Sequence, residues 1–133
     1  MQNTEAARAF FSRDTFATET AGIVIVEAKP GYAKCQMAVT DAHLNAAGTV
    51  MGGAIFTLAD FTFAVAANDE TGATVSLSAT IEYLRPGRGP ILYAETSCDG
   101  STRSVAFYTV LVTDCEGHTV AKLMGTGFRK QKS

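Results

Sequence analysis

Most of this chain alternates between apolar and polar positions with a period of two or of about three and a half. One stretch is apolar at nearly every step. Residues 53–67 contain no proline and one charge. Ile55, Leu58, Ala59, Thr62 and Ala66 keep helical spacing, and Phe56, Phe63 and Ala67 make the remaining sides apolar. A helix that is apolar nearly all round is buried nearly all round. Its length, about 22–24 Å at ~1.5 Å per residue, is short for crossing a bilayer. The pattern therefore predicts the central helix of a globular domain, with Asp60 as the one ionisable residue in its middle.

The flanking patterns say what wraps it. Residues 4–18 predict one or two short N-terminal helices, docked by Phe10, Phe11 and Phe16. Residues 22–29 and 32–40 are strands split by Pro30-Gly31, a turn dipeptide, and so form an antiparallel hairpin. Residues 41–51 are an irregular lead into the helix, and Thr71-Gly72 closes the loop after it. Four strands follow, at 74–84, 90–99, 103–114 and 119–129, separated by turn-rich runs at 86–90, 99–102 and 114–117. Strand 74–84 places Val75, Leu77, Ala79, Ile81 and Tyr83 on one face and Ser76, Ser78, Thr80 and Glu82 on the other. Long strands joined by tight turns favour an antiparallel sheet. The expectation is one α+β domain over residues 1–133, a single sheet curled around one helix. That layout resembles the hotdog fold, whose exposed sheet face and edges favour oligomers.

Composition narrows the function classes. A length of 133 residues suits one domain. No run of 18 apolar residues and no basic-then-apolar leader is present, so a cytoplasmic protein without a membrane partner is expected. A net charge of −2 argues against nucleic acid as a partner. Cys35, Cys98 and Cys115 are odd in number and widely spaced, which predicts reduced, packed cysteines and no metal site. The tail from Arg129 to Ser133 is short, basic and expected to be solvated.

Candidate chemistry starts at Asp60. A carboxylate on an apolar helix must be paired, hydrogen-bonded or shifted in pKa. It is either a structural Asp satisfied by Thr57 or Thr62, or a base or nucleophile in a cleft. Gly52-Gly53 is either a close turn or a pair of free backbone N–H groups able to hold developing negative charge. Asn45 is either a cap at the start of the helix or an amide aimed at substrate. Ser76 and Ser78 are either an ordinary strand face or polar groups beside Asp60. His43 and His118 do not pair at metal-ligand spacing with any Cys, Asp or Glu. No Ser/His/Asp set, P-loop or dinucleotide motif is present. Gly52 and Asp60 are separated by about 12 Å along a helix. One chain can hardly bring both to one carbonyl, whereas two antiparallel helices across a twofold axis can.

These residues resemble a known family. Asn45-x-x-Gly48-x-x-Met51-Gly52-Gly53, then Phe56-Thr57-Leu58-Ala59-Asp60 and Ala66-Ala67-Asn68, is similar to the PaaI-type hotdog thioesterases of phenylacetate catabolism. It also resembles the related acyl-coenzyme A thioesterases of the 4-hydroxybenzoyl-CoA thioesterase superfamily. The resemblance runs from about Gly22 to Phe128 and includes Ile81 to Gly87 and Asp114-x-x-Gly117-x-x-Val120-Ala121. It implies that Asp60 acts on a thioester carbonyl as base or nucleophile, and that the Gly52 N–H polarises the carbonyl oxygen. Asn45 would orient substrate or water, and Ser76, with Ser78 as a same-face reserve, would hold water near Asp60. Arg85, Arg88 and Arg103 would meet the phosphates of coenzyme A. The family's His before Gly-Gly is Met51 here, and a thioether neither donates a hydrogen bond nor titrates.

The reading that follows is an acyl-CoA thioesterase acting on an aryl or medium-chain acyl group, with Phe56, Phe61, Phe63 and Met51 available to line an apolar pocket. It implies no metal or redox cofactor and a homodimer paired into a homotetramer. A non-catalytic acyl-CoA-binding protein is the alternative. A hydratase ranks last, because Met51 removes the expected His partner.

Overall fold

The computed structural model describes residues 3–68 and 72–131. Thr71 of the expected Thr71-Gly72 turn, and Lys132 and Ser133 of the tail, lie outside them. The order is α1 (Thr4–Phe11), a π-helical turn (Phe16–Thr20), β1 (Ile23–Lys29), β2 (Tyr32–Ala38), a 3-10 turn (Asp41–His43), α2 (Gly52–Ala67), β3 (Gly72–Tyr83), β4 (Ile91–Ser101), β5 (Val105–Thr113) and β6 (Thr119–Gln131). The strands form one antiparallel sheet in the order β1-β2-β4-β5-β6-β3. This is the α+β hotdog arrangement expected from the pattern.

Helix α2 lies in the concave face and packs against all six strands. The sheet makes room for it with small inward side chains: Ala33 and Cys35 on β2, Ala94 on β4, Ala106 on β5, and Gly125 and Gly127 on β6. A Cβ on Gly127 would sit 2.5 Å from Thr74 Cγ2 and 3.2 Å from the Phe63 ring. Ile55, Leu58, Ala59, Thr62 and Ala66 are all buried, as their spacing predicts. Thr62 tolerates burial because its hydroxyl donates to the Leu58 carbonyl at 2.7 Å. The sheet does not close all round, however. Gly53 is exposed, and Thr57, Asp60 and Ala64, which continue from it at helical-turn spacing, are only partly covered, as are Gly52, Ala54 and Phe56 beside them. The N-terminal segment crosses this stripe.

That segment is held by fewer aromatic rings than the sequence suggests. Phe11 is buried edge-on against Phe61, with ring centroids 5.6 Å apart. Phe10 and Phe16 are 59% and 64% exposed and do not dock as expected. The cysteine reading also holds only in part. Cys35 is buried, which pushes its thiol up to about 11, whereas Cys98 and Cys115 are exposed.

Strand β3 departs from simple alternation. Ser76 pairs with Gly127 and Ser78 with Thr126, so Leu77 is an extra residue, a β-bulge. Paired residues share a face. Thr74 and Ser76 therefore face the helix before the bulge, and Ala79, Ile81 and Tyr83 face it after. Ser78, Thr80 and Glu82 point outward. The single apolar face expected for Val75 to Tyr83 is split in two by this one residue. From β3, at the sheet edge, the chain crosses past the start of α2 to reach β4 in the interior of the sheet. Gly87 pairs with Val50 on the way.

Candidate active site

The start of α2 is open. Met51 is its N-cap, and no side chain of the described residues caps the helix. The Met51 N–H donates to the His43 carbonyl at 2.8 Å, and the Met51 carbonyl accepts from Ala54 and Ile55. No group of the described residues accepts from the Gly52 or Gly53 N–H. These two donors sit at the positive end of the helix. Asn45 is not the cap. Its Oδ1 accepts from the Ala47 and Thr49 N–H groups at 2.9 and 3.1 Å, and its Nδ2 donates to Thr49 Oγ1 at 3.0 Å. It braces the loop that leads to Met51, and one amide hydrogen is left over.

Tyr83 covers Gly52 from the side. Its hydroxyl donates to the Gly52 carbonyl at 3.0 Å, and a Cβ on Gly52 would meet its ring at 3.2 Å. Gly52, Tyr83 and Arg85 line one cavity of about 390 Å³. Arg88 is exposed in the same loop. Arg103 is elsewhere. Leu84, beside Arg85, bonds to Val120, while Ser104, beside Arg103, bonds to Arg129. Those two β6 residues are about 30 Å apart at ~3.3 Å per residue, so one chain does not bring Arg103 to Arg85.

Asp60 occupies a different cavity, of about 470 Å³, with Asp14, Phe16, Phe56, Thr57 and Phe61. Neither hydroxyl proposed to satisfy it does so. Thr57 Oγ1 donates to the Gly53 carbonyl at 2.8 Å and Thr62 Oγ1 to Leu58. Among the described residues, no hydrogen bond or ion pair reaches the Asp60 carboxylate. Burial raises its pKa above the usual carboxylate value, and the nearby Asp14 charge raises it further. Phe56 and Phe61 line its cavity, whereas Phe63 is core, edge-on to Tyr108 at 5.3 Å.

The serines separate. Ser76 is on the helix side of β3 and Ser78 on the outer side, so Ser78 is no same-face reserve. Neither bonds to Asp60. His43 is buried with both ring nitrogens engaged. Nδ1 accepts from the Thr40 N–H at 2.9 Å, so Nε2 carries the proton and donates to the Ala21 carbonyl at 2.7 Å. It is not free to partner Asp60. His118 is exposed in its hairpin turn, 3.4 Å from Asp114. Among the described residues, no three His, Cys, Asp or Glu converge as metal ligands. Sequence reasoning missed Asp14, Phe16 and Tyr83. Asp14 and Phe16 lie more than 40 positions from Asp60 with no motif to link them. Tyr83 was assigned to the right strand but its face depended on the bulge.

A sheet wrapped around one helix, with amides open at the helix start and a carboxylate two turns on that has no partner among the described residues, is the architecture to compare with known proteins. Residues 47–121, more than half of the chain, match the thioesterase superfamily. The chain is 33% identical to the acyl-coenzyme A thioesterase PaaI of Escherichia coli over 124 residues, 92% of this chain and 88% of that protein. It is 30% identical to human acyl-coenzyme A thioesterase 13, over 92% of this chain and 88% of that one. The solved structure of E. coli PaaI superposes with a TM-score of 0.89, covering 97% and 94% of the two chains at 30% identity. The structure of a hypothetical thioesterase protein from Streptococcus pneumoniae with coenzyme A gives 0.83, at 26% identity over 92% and 99%. The chain belongs to the thioesterase superfamily, and within it to the PaaI-like hotdog proteins; it is a thioester hydrolase.

Proposed function

We propose that the protein hydrolyses an apolar acyl-CoA, aryl or medium-chain, to the free acid and coenzyme A. The observation that carries this reading is the Asp60 carboxylate, unpaired and half-buried in a cavity on an otherwise apolar helix. The Thr57 and Thr62 hydroxyls are both turned back onto the helix backbone and leave it unbonded. As base, Asp60 takes a proton from water as that water adds to the thioester carbonyl. The C–S bond then breaks, and the thiolate leaves with that proton as coenzyme A. As nucleophile, a carboxylate oxygen displaces the thiolate, and water opens the mixed anhydride. In either route the carbonyl oxygen gains negative charge, which the Gly52 N–H meets at the helix start. Asn45 offers its spare amide hydrogen from the same loop, and Ser76 a hydroxyl from β3. No metal or redox cofactor is needed.

Gly52 and Asp60 line separate cavities in one chain. A site using both therefore needs a second copy, with Gly52 from one subunit and Asp60 from the other. The long edge strand β3, with Val75 and Leu77 44% and 59% exposed, is the surface to pair, since an unpaired apolar edge is otherwise a liability. Arg85 lines the Gly52 cavity, Arg88 follows in the same loop, and both suit coenzyme A phosphates; Arg103 joins them only from the second subunit. Pairing of such dimers through the outer sheet face gives the tetramer.

The test is release of free thiol from acetyl, phenylacetyl, hydroxybenzoyl, octanoyl and dodecanoyl-CoA, with Asp60→Asn as control. Release that falls in the variant supports the reading. Binding of acyl-CoA without release by the wild type replaces it with the acyl-CoA-binding alternative. Labelled oxygen entering the enzyme carboxylate in a single turnover selects the nucleophile over the base.

A further inference from the structure

A third cavity, of about 330 Å³, opens on the same uncovered stripe of α2, one turn before Asp60. Phe16, Ala21, Ala42, His43, Met51 and Ala54 form most of its wall. The space exists because the side chains are small: three alanines, with Gly53 at the helix start. Among the described residues, His43 and Thr57 are already engaged, and the Thr20 hydroxyl and the Gly53 N–H are left without a partner. His43 has both nitrogens engaged, and Thr57 donates to Gly53. What remains is apolar surface that water covers poorly, chiefly Met51, 53% exposed, and the face of Phe16. Such a cavity gains from an apolar occupant, with few polar groups to bind a polar one.

Its position identifies the occupant. Gly53, one of the two residues with a free amide, lines it. Phe16 and Thr57 are the residues it shares with the Asp60 cavity, so the Phe16 ring stands between the two spaces. Phe16 belongs to the π-helical turn, whose end is fixed by the Ala21 N–H donating to the Phe16 carbonyl at 2.8 Å and by His43 on Ala21. Phe16, Ala21, Ala42 and His43 all lie outside the stretch that matches the superfamily.

We propose that this cavity holds the apolar tail of the acyl group, in the same subunit as the Gly52 and Gly53 amides, with Phe16 as the end wall that limits tail length. The proposal rests on the thioesterase reading and adds the residues that set acyl preference. Met51 presents a flexible thioether suited to an apolar tail.

The test compares wild type with Ala42→Leu, which fills the cavity from an exposed wall position, and Phe16→Ala, which joins it to its neighbour. Ratios of kcat/KM for phenylacetyl, octanoyl and dodecanoyl-CoA to acetyl-CoA are measured. Ala42→Leu lowers the phenylacetyl and octanoyl ratios about tenfold, and Phe16→Ala raises the dodecanoyl ratio about tenfold. Ratios that stay within about twofold in both folded variants overturn the acyl site while leaving hydrolysis intact. Calorimetric binding of non-hydrolysable thioether analogues with the same tails separates the two readings. If no substrate turns over but Ala42→Leu still weakens the octyl analogue against the methyl analogue, the acyl site stands and the hydrolase reading falls. Analogue binding that ignores tail length, or no binding at all, overturns the site.

Discussion

Asp60 has no partner among the described residues, and its effect on stability has a definite sign. Burial, and then Asp14, raise its folded pKa above the unfolded value. A group of this kind contributes stability that is fully present below the unfolded pKa and is lost as pH rises through the folded one. At neutral pH the ionised side chain therefore weakens the fold. Asp60→Asn should lower kcat by about 10²–10⁴-fold while Tm at pH 7–8 stays equal to wild type or rises. The Tm gap should close in acid, where Asp60 is protonated in both states. A variant that melts well below wild type at pH 7 would make Asp60 a structural residue. Asp14 gives a second test. Its negative charge holds the Asp60 proton on, so Asp14→Asn should move the acid limb of the kcat/KM profile to lower pH. An unmoved limb would mean that the two carboxylates do not sense each other in solution.

At the scale of elements, α2 was legible almost residue by residue. Its burial pattern follows from apolar side chains on nearly every side, and no other element could satisfy them. The open stripe was not legible, because Gly53, Thr57 and Ala64 differ little in hydrophobicity from residues elsewhere on the helix, and Asp60 alone does not show which length of it the sheet leaves open. Strand β3 shows the limit more sharply. Its boundaries followed from alternation and from Pro86, but the bulge at Leu77 depends on pairing with β6, which lies more than 40 residues on. That one residue sends Ser76 inward and Ser78 outward. The β6 glycines have a matching packing role, since Phe63 needs the space above Gly125 and Gly127. Gly127→Val should cost about 1–3 kcal/mol, read as a lower Tm in thermal denaturation, because its branches would press on Thr74 and Phe63. An unchanged Tm would mean that the helix shifts freely over the sheet.

At the scale of the molecule, the question is how two cavities become one site. Gly52 is the first residue of α2, where proline is tolerated, and Met51 has the extended backbone that precedes proline readily, with φ −60 and ψ 138. Gly52→Pro should keep the fold, with the half-exposed Tyr83 ring giving way, and remove the N–H that meets the carbonyl. A loss of about 10²–10³-fold in kcat is expected. If each site takes Gly52 from one subunit and Asp60 from the other, mixing Gly52→Pro with Asp60→Asn and allowing subunits to exchange restores activity. Half of the random dimers then carry one intact site, so recovery approaches about a quarter of wild type. No recovery, in a mixture shown by mass to have exchanged, would place both residues in one subunit's site.

The sequence by itself determined the central helix, the strands, the sheet class and Asp60 as the residue to watch. Each of these rests on local periodicity or on a charge out of place, and both survive any arrangement of the rest. Only the tertiary structure decided which hydroxyls were already engaged, which serine faces the helix, and that Asp14 and Phe16 come to Asp60 from the far end of the chain. Those facts depend on pairing register and on contacts between residues distant in sequence, where a shift of one position reverses a face and no local signal records it.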